Sequence, residues 1–177
     1  KLTECGWPTD QIKHVANFLS IAEFEPMYAP GTDFLYLGRL SEEKGIETLV
    51  RAFRDLKQEH YGLKIVGDGP MRAELERLAN GNPLIRFTGY LSGKELQDTS
   101  RNALAIVVPS LCYENAPLAI LEAMAYGKPV LGARIGGIPE MIQDGVNGFL
   151  FESGNEADLK STMQRFIKLP KAHIEKM

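Results

Sequence analysis

The chain has 177 residues and a formal net charge of −3, and 44% of its residues are hydrophobic and 24% are charged. This length fits one domain with its own core, and the lack of a basic excess argues against a nucleic-acid-binding surface. The apolar runs are far too short to cross a bilayer. Cys5 and Cys112 form neither a CxxC motif nor a disulfide framework, so we expect a reducing, cytoplasmic setting.

Strand and helix signals alternate from about residue 33 onward. Short apolar runs typical of buried strands occupy residues 34–39, 63–67, 84–89, 104–110, 129–133 and 148–151. Helical spacing or helix caps mark residues 45–59, 70–80, 92–102, 117–127, 138–143 and 155–167. This alternation predicts an α/β fold, in which a parallel sheet of about six strands has helices on both faces.

Specific residues mark the starts of three predicted helices. Ser92, with Glu95 three residues later, forms a capping-box pattern. Pro117 is placed at the first position of its helix, and Asn155 is predicted to cap the last helix.

The two ends of the chain lack the alternating pattern. We divide the chain into a linker at residues 1–32 with one candidate strand at 13–19, a domain at 33–168, and a polar tail at 169–177. Both ends are expected to connect this domain to other parts of a longer chain.

In a parallel α/β sheet, ligands bind beyond the carboxyl ends of the strands, so the loops there are the candidate sites. After the first strand, Arg39 and Lys44 lie just before a predicted helix. Two cations beside a helix N-terminus suit a diphosphate. The alternative is a pair of solvated surface charges.

Glycine-rich turns follow two other strands. Residues 67–70 read GDGP and residues 134–140 read RIGGIPE. The glycines would let a ligand approach the backbone, or they would simply form tight turns. No G-x-G-x-x-G motif follows a strand, so a dinucleotide is not expected.

Two glutamates, separated by seven residues, occur around the start of the fourth predicted helix. Glu114 lies in the preceding loop and Glu122 on the second helical turn. Carboxylates can accept hydrogen bonds from the hydroxyl groups of a sugar or a ribose. The alternative is that Glu114 caps the helix and Glu122 is simply exposed. No HExxH, CxxC or DxD-type cluster indicates a metal site.

Together these motifs resemble a known enzyme family. Residues 38–45, 65–70, 85–91 and 107–151 resemble, in this order, group 1 glycosyltransferases of the family-4 type, and the likeness runs from about residue 34 to 167. The spacing of Glu114 and Glu122 is the signature of that family. The resemblance implies the C-terminal, donor-binding domain, which is one Rossmann-like half of a GT-B fold.

The resemblance also implies roles for individual residues. Arg39 and Lys44 would hold the diphosphate and Glu114 would contact the donor sugar, and these three are the implied catalytic residues. Glu122 would bind the ribose hydroxyls. The implied donor-binding residues are Gly38, Arg39, Lys44, Gly67, Gly69, Pro70, Gly89, Tyr90, Leu91, Glu114, Asn115, Ala116, Pro117, Leu118 and Glu122.

Within that set, residues 67–70 and 89–91 would border the base, and the backbone of residues 115–118 would meet the phosphate or the sugar. The family often has an aromatic residue followed by glycine after the first glutamate, whereas this chain has Asn115 and Ala116. We therefore expect a different backbone geometry at the sugar, with consequences for the choice of donor.

The implied reaction moves a sugar from a UDP- or GDP-linked donor with retention of the anomeric configuration. It uses no cofactor and no protein-bound metal. The acceptor, a saccharide or a lipid-linked molecule, would bind mainly to an N-terminal domain that this chain does not contain, so the chain alone is not expected to be fully active. No nucleic-acid partner is expected, and the full enzyme could contact the membrane surface peripherally in polysaccharide or glycolipid biosynthesis.

Two other functions stay open from the sequence. One is a sugar-nucleotide epimerase of the GT-B type, against which the spacing of Glu114 and Glu122 argues. The other is a nucleotide-binding or scaffold module without catalysis.

Overall fold

The computed structural model describes residues 4–13, 15 and 17–177. Its centre is a six-stranded sheet in the order β3-β2-β1-β4-β5-β6, and every neighbouring pair of strands is parallel. The strands are β1 (Asp33–Leu37), β2 (Gly62–Val66), β3 (Ile85–Gly89), β4 (Ala103–Val108), β5 (Val130–Ala133) and β6 (Gly148–Phe151).

Helices cover both faces of this sheet. They are α1 (Ile46–Arg54), α2 (Arg72–Ala79), α3 (Gly93–Arg101), α4 (Leu118–Ala125), α5 (Ile138–Met141), α6 (Glu156–Ile167) and α7 (Lys171–Ile174). Side chains from α1, α2, α6 and α7 pack into one buried cluster, and side chains from α3, α4 and α5 pack against the other. The predicted α/β fold, with six parallel strands and helices on both faces, is confirmed.

The core forms because neighbouring strand residues point to opposite faces. In β1, Phe34 and Tyr36 pack with the first cluster and Leu35 packs with the second. Phe34 also contacts the rings of Phe53 and Phe166, at centroid distances of 6.4 and 6.1 Å. Both faces of the central strand are therefore buried, as its continuous apolar sequence requires.

Capping residues and helical spacing in the sequence predicted some helix boundaries correctly and others incorrectly. The Asn155 side chain accepts a hydrogen bond from the Asp158 N–H, so the predicted cap of α6 is confirmed. Ser92 does occupy the N-cap position of α3, but its side chain makes no capping hydrogen bond, so the capping box does not form. Helix α1 ends at Arg54, earlier than predicted, and nearby Lys57 has a φ of 49°, which an α-helix cannot contain.

The N-terminal strand prediction is wrong where it can be checked. Of the predicted strand 13–19, His14 and Ala16 lie outside the described residues, and the other five residues belong to no strand. Val15 and Phe18 are 78% and 83% exposed. An apolar run becomes a strand only where a neighbouring strand can pair with it, and no described residue pairs with this one.

The C-terminal tail is more ordered than its polar sequence indicates. Residues 171–174 form α7, and Ile174 is buried in the cluster beside α6. Among the described residues, the longest helix is α6 with 12 residues, and no helix combines the length and the apolar character needed to cross a membrane.

Candidate functional site

The strand order reverses between β1 and β4, because β2 and β3 lie on one side of β1 while β4, β5 and β6 lie on the other. At such a point the loops after the two strands diverge and leave a crevice at the carboxyl ends. Arg39 and Lys44 follow β1, and Ser110 and Glu114 follow β4. The sheet therefore brings together the residues that the sequence analysis predicted for the diphosphate and the sugar.

These residues line a cavity of about 220 Å³, which we call the central cavity. Its walls come from β1, β4, the loops that follow them, and the first turn of α4. The lining residues are Tyr36, Leu37, Gly38, Arg39, Lys44, Val107, Val108, Pro109, Ser110, Glu114, Pro117 and Ala119.

Glu114 is held by contacts to one of its two carboxylate oxygens. Lys44 Nζ donates to Glu114 Oε1 at 2.6 Å and Ser110 Oγ donates to the same oxygen at 3.2 Å. The thiol of Cys112 lies 3.8 Å from it. The hydrogen bond that Lys44 donates to Glu114 raises the pKa of Lys44, so this lysine is charged at neutral pH.

The backbone of Arg39 is fixed by a buried tyrosine. The Tyr36 hydroxyl donates to the Arg39 carbonyl oxygen at 2.8 Å. Burial, followed by the charges of Glu43 and Glu114, raises the pKa of Tyr36, so it remains a neutral donor. The Arg39 side chain is exposed and forms no ion pair with a described residue. Its charge interacts with the nearby Glu43 carboxylate, and the exposed guanidinium is accessible to an anion.

A second cavity, which we call the apolar cavity, adjoins the central one and has a volume of about 360 Å³. The two share Leu37, Gly38 and Arg39. The lining residues are Leu37, Gly38, Arg39, Val66, Gly67, Asp68, Tyr90, Leu91 and Leu96. Flat apolar groups bind in such a lining, so its position beside the two cations suits a nucleoside base.

Glu122 lies on α4, one helical turn after Ala119 of the central cavity. It is half-buried, and burial alone raises the pKa of its carboxyl group. No donor among the described residues forms a hydrogen bond with this carboxyl group. A partly desolvated carboxylate without a hydrogen-bond partner is typical of a binding residue, but Glu122 itself lines none of the cavities.

The start of α4 differs by one residue from the prediction. Pro117 is the N-cap with extended backbone and Leu118 is the first helical residue. The first N–H groups of a helix have no partner within it, and Pro117 and Ala119 line the central cavity. Leu118 itself is 50% exposed.

The loop before α4 also borders a third cavity of about 910 Å³, which we call the outer groove. Asn115 and Ala116 lie in this groove. The lining residues are Val15, Asn17, Tyr113, Glu114, Asn115, Ala116, Leu121, Gly136, Gly137, Glu140 and Met141. Glu114 therefore belongs to both the central cavity and the outer groove.

The glycines at the strand ends admit neighbouring backbone. A Cβ on Gly67 would collide with the Gly38 carbonyl, and one on Gly137 would collide with the Asn115 carbonyl. The Gly137 N–H also donates to the Glu114 carbonyl oxygen at 2.7 Å, so it is not free for a ligand. From the sequence, these glycines predict a ligand contact or a tight turn. In the structure they allow close contact between the loop at Gly67 and that at Gly38, and between the loop at Gly137 and that at Asn115.

The predicted site residues fall into two sets. Gly38, Arg39, Lys44, Gly67, Tyr90, Leu91, Glu114, Asn115, Ala116 and Pro117 line one or more of the three cavities. The residues that line none of them are Gly69, Pro70, Gly89, Leu118 and Glu122. Sequence reasoning missed Ser110 and Leu96 as site residues. Ser110 is 2% exposed, and its position four residues before Glu114 could have drawn attention to it.

Metal ligands do not cluster in the part of the chain that the structure describes. No group of three or more histidine, cysteine or carboxylate side chains there could hold a metal ion. The expectation that the reaction needs no metal and no cofactor stays a prediction.

Comparison with known proteins identifies the family. A family model described as "Glycosyl transferases group 1" matches residues 22–176. The chain belongs to this family. The sulfoquinovosyl transferase SQD2 of Arabidopsis thaliana is 37% identical to this group 1 glycosyltransferase chain over 136 residues, which are 75% of this chain and 26% of SQD2.

Solved structures agree with this membership. The lipopolysaccharide outer core galactosyltransferase WaaB has a TM-score of 0.81 and 26% identity, covering 98% of this chain and 52% of that one. The C-terminal domain of LpcC, a group 1 family glycosyl transferase from Francisella tularensis, has a TM-score of 0.78 and 23% identity, covering 90% of this chain and 92% of that one. The latter likeness shows a shared fold, and the chain matches the C-terminal half of the GT-B architecture.

The chain spans between 26% and 47% of the length of the curated relatives that are most similar to it.

Proposed function

We propose that this chain is the donor-binding domain of a retaining glycosyltransferase that takes its sugar from a nucleotide-diphosphate sugar. The observation that carries the proposal is the meeting of Arg39, Lys44 and Glu114 in the central cavity, at the point where the strand order reverses. Family membership supports sugar transfer as the reaction. The relatives named above transfer different sugars, so they do not indicate which sugar this domain would bind.

The three cavities correspond to the parts of such a donor. The base would occupy the apolar cavity, the diphosphate would contact Arg39 and Lys44, and the sugar would lie near Glu114. Glu122 would accept hydrogen bonds from the ribose, for which its unpartnered carboxylate is suited. The order base, diphosphate, sugar matches the order of the apolar cavity, the central cavity and the outer groove.

This arrangement could stabilise the cleavage of a glycosyl–phosphate bond. Negative charge develops on the leaving diphosphate, and positive charge develops on the anomeric carbon. Arg39, Lys44 and the N-terminus of α4 would stabilise the leaving group, which supports a reaction without a metal. Glu114 would stabilise the positive charge of the sugar. The acceptor, a saccharide or a lipid-linked molecule, would bind mainly to a further domain of the longer enzyme.

Calorimetric titration of the chain with UDP, GDP and their glucose and mannose derivatives tests this proposal. Saturable binding of one nucleotide is expected. Arg39→Ala should weaken it by about tenfold or more, because a charge-assisted hydrogen bond is lost. Arg77→Ala is the matched control, since Arg77 is an exposed arginine on α2 outside the three cavities.

Equal affinities of the wild type, Arg39→Ala and Arg77→Ala proteins would contradict the proposed diphosphate site. Binding that disappears in EDTA would contradict the proposal that no metal is needed. Donor binding without any sugar transfer by the longer enzyme would favour a non-catalytic nucleotide-binding module.

A further inference from the structure

The contact between Lys44 and Glu114 joins two residues with different proposed tasks. Lys44 is assigned to the diphosphate and Glu114 to the sugar. In the structure, however, Lys44 Nζ lies 2.6 Å from Glu114 Oε1, which is a short, charge-assisted hydrogen bond. The lysine that should bind the diphosphate is therefore already engaged by a carboxylate.

A phosphate and Glu114 would compete for this lysine. Both are negatively charged, so placing them together beside one ammonium group brings like charges into contact. The side chains of Lys44 and Glu114 are 33% and 20% exposed. An incoming anion can therefore reach the pair, which is nevertheless shielded enough to cost free energy when it opens.

Glu114 keeps other contacts if Lys44 moves to a ligand. Ser110 Oγ at 3.2 Å and the Cys112 thiol at 3.8 Å contact the same oxygen of Glu114. Its backbone carbonyl is fixed by the Gly137 N–H at 2.7 Å. The carboxylate would thus remain at the central cavity after losing Lys44.

We propose that Glu114 competes with the donor diphosphate for Lys44, so that a ligand has to open the Lys44–Glu114 ion pair with its own diphosphate. The inference rests on the proposed function and deepens it. A ligand that carries a diphosphate opens the ion pair, whereas a nucleoside without phosphate leaves it closed. Binding of the diphosphate then releases the carboxylate that faces the sugar, so the two events are coupled.

This predicts that removing the negative charge of Glu114 tightens the binding of a diphosphate. We would titrate the 177-residue chain with inorganic pyrophosphate as the probe, and with UDP and GDP. Glu114→Gln should bind pyrophosphate about twofold to fivefold more tightly than the wild type, the upper part of the range expected for a partly exposed ion pair.

Glu43→Gln is the matched control. Glu43 precedes Lys44 directly, but its carboxylate accepts a hydrogen bond from Ser41 Oγ at 2.6 Å and does not bond Lys44. It lines neither the central nor the apolar cavity. Glu43 also interacts electrostatically with Lys44 and Arg39, without a hydrogen bond to either. Removing its charge should therefore tighten pyrophosphate binding less than Glu114→Gln does, because the through-space effect of an exposed charge is screened.

A double-mutant cycle separates competition for Lys44 from simple charge repulsion. In a Lys44→Gln background, Glu114→Gln should tighten pyrophosphate binding less than it does in the wild type, because only the like-charge repulsion is then relieved. A tightening of the same size in both backgrounds, an equal tightening by Glu43→Gln, or no tightening by Glu114→Gln would each overturn the inference.

The nucleotides distinguish this failure from failure of the proposed function. If UDP or GDP binds but Glu114→Gln does not tighten diphosphate binding, only the displacement of Glu114 is wrong. If neither the nucleotides nor pyrophosphate bind to the wild type or to Glu114→Gln, both proposals fall.

Discussion

Two lysines form long-range contacts at opposite ends of the parallel strands. We call the side where the strands end the carboxyl edge, and the side where they begin the amino edge. At the carboxyl edge, Lys44 pairs with Glu114, and that hydrogen bond raises its pKa. At the amino edge, Lys128 is 3% exposed and donates to the Ala29 carbonyl oxygen at 2.9 Å. Burial, together with the charge of Arg101, lowers the pKa of Lys128 to about 8.

The difference between the two lysines separates binding from structure. Lys44 has a charged and accessible partner that a ligand can replace. Lys128 has a neutral partner on a surface strap, residues 24–31, which the backbone hydrogen bond from Met27 N–H to the Tyr126 carbonyl oxygen also holds in place. Lys44 is therefore suited to the proposed binding site, whereas the enclosed Lys128 holds residues 24–31 against the domain.

The largest expected effect is on ligand binding at the carboxyl edge. Lys44→Ala should weaken the binding of the cognate nucleotide by about tenfold to a hundredfold, because a charge-assisted contact to the diphosphate is lost. Calorimetry measures this. Lys128→Met should leave the affinity unchanged, since Lys128 lies at the opposite edge of the sheet. Equal losses in the two variants would contradict the distinction between them.

The next effect concerns the stability of the amino edge at alkaline pH. The folded-state pKa of Lys128, about 8, is below the unfolded value of about 10.4. Between these values the unfolded state binds more protons, so the stability rises as the pH increases from about 8 to 10. We expect a gain of about 1–3 kcal/mol over this window.

Urea unfolding at several pH values measures this gain. The charged and titratable groups around Lys128 are Arg101 and, through it, Glu25, with Tyr126 beside Arg101. Lys128→Met should remove the rise. Lys168→Met, which changes an exposed lysine at the end of α6, should retain it. A rise of the same size in Lys128→Met would show that another group is responsible.

A smaller effect is expected for a purely structural contact at the carboxyl edge. Asn155→Ala removes the side-chain cap of α6 and should lower the free energy of unfolding by about 1 kcal/mol. Nucleotide affinity should stay the same, because Asn155 lines none of the three cavities. Asn155→Ser, which can still cap, is the control. Weaker nucleotide binding in Asn155→Ala would show that the site depends on this helix.

The smallest stability effect is expected at Glu122. Burial raises the pKa of its carboxyl group, so the ionised form destabilises the folded state at neutral pH. Glu122→Gln should therefore raise the free energy of unfolding by a few tenths of a kcal/mol, since the group is only half-buried. It should also weaken nucleotide binding several-fold. Glu140→Gln, on α5, is the control for stability. Unchanged nucleotide binding would remove Glu122 from the ribose site.

The sequence predicted the sheet and its order of elements well, because the inner strands, such as β4 with its six buried residues, are apolar runs between polar turns. It failed at residues 13–19, where an equally apolar run has no strand beside it to pair with. It also failed at Ser92, which occupies the N-cap position but makes no side-chain bond there. Spacing alone does not fix the side-chain geometry of a cap.

The sequence predicted several residues that line the cavities, but it did not predict the contacts between them, and five predicted residues line no cavity. Arg39, Lys44 and Glu114 were all expected near a donor, and all three line the central cavity. The ion pair of Lys44 with Glu114 joins residues 70 positions apart, a separation over which no local pattern carries information. The lowered pKa of Lys128 could not be predicted from the sequence either, because it depends on the packing of Lys128 near residues 24–31.

The sequence by itself determined the alternation of strands and helices, the family, and the polar residues at each strand end. These follow from local hydrophobic periodicity and from short motifs, which do not need the folded chain. Tertiary structure alone decided which oxygen of Glu114 is held, which glycines admit neighbouring loops, and which lysine is available to a ligand. Each of these depends on the packing of segments that are distant in sequence, and only the closed sheet brings them within contact distance.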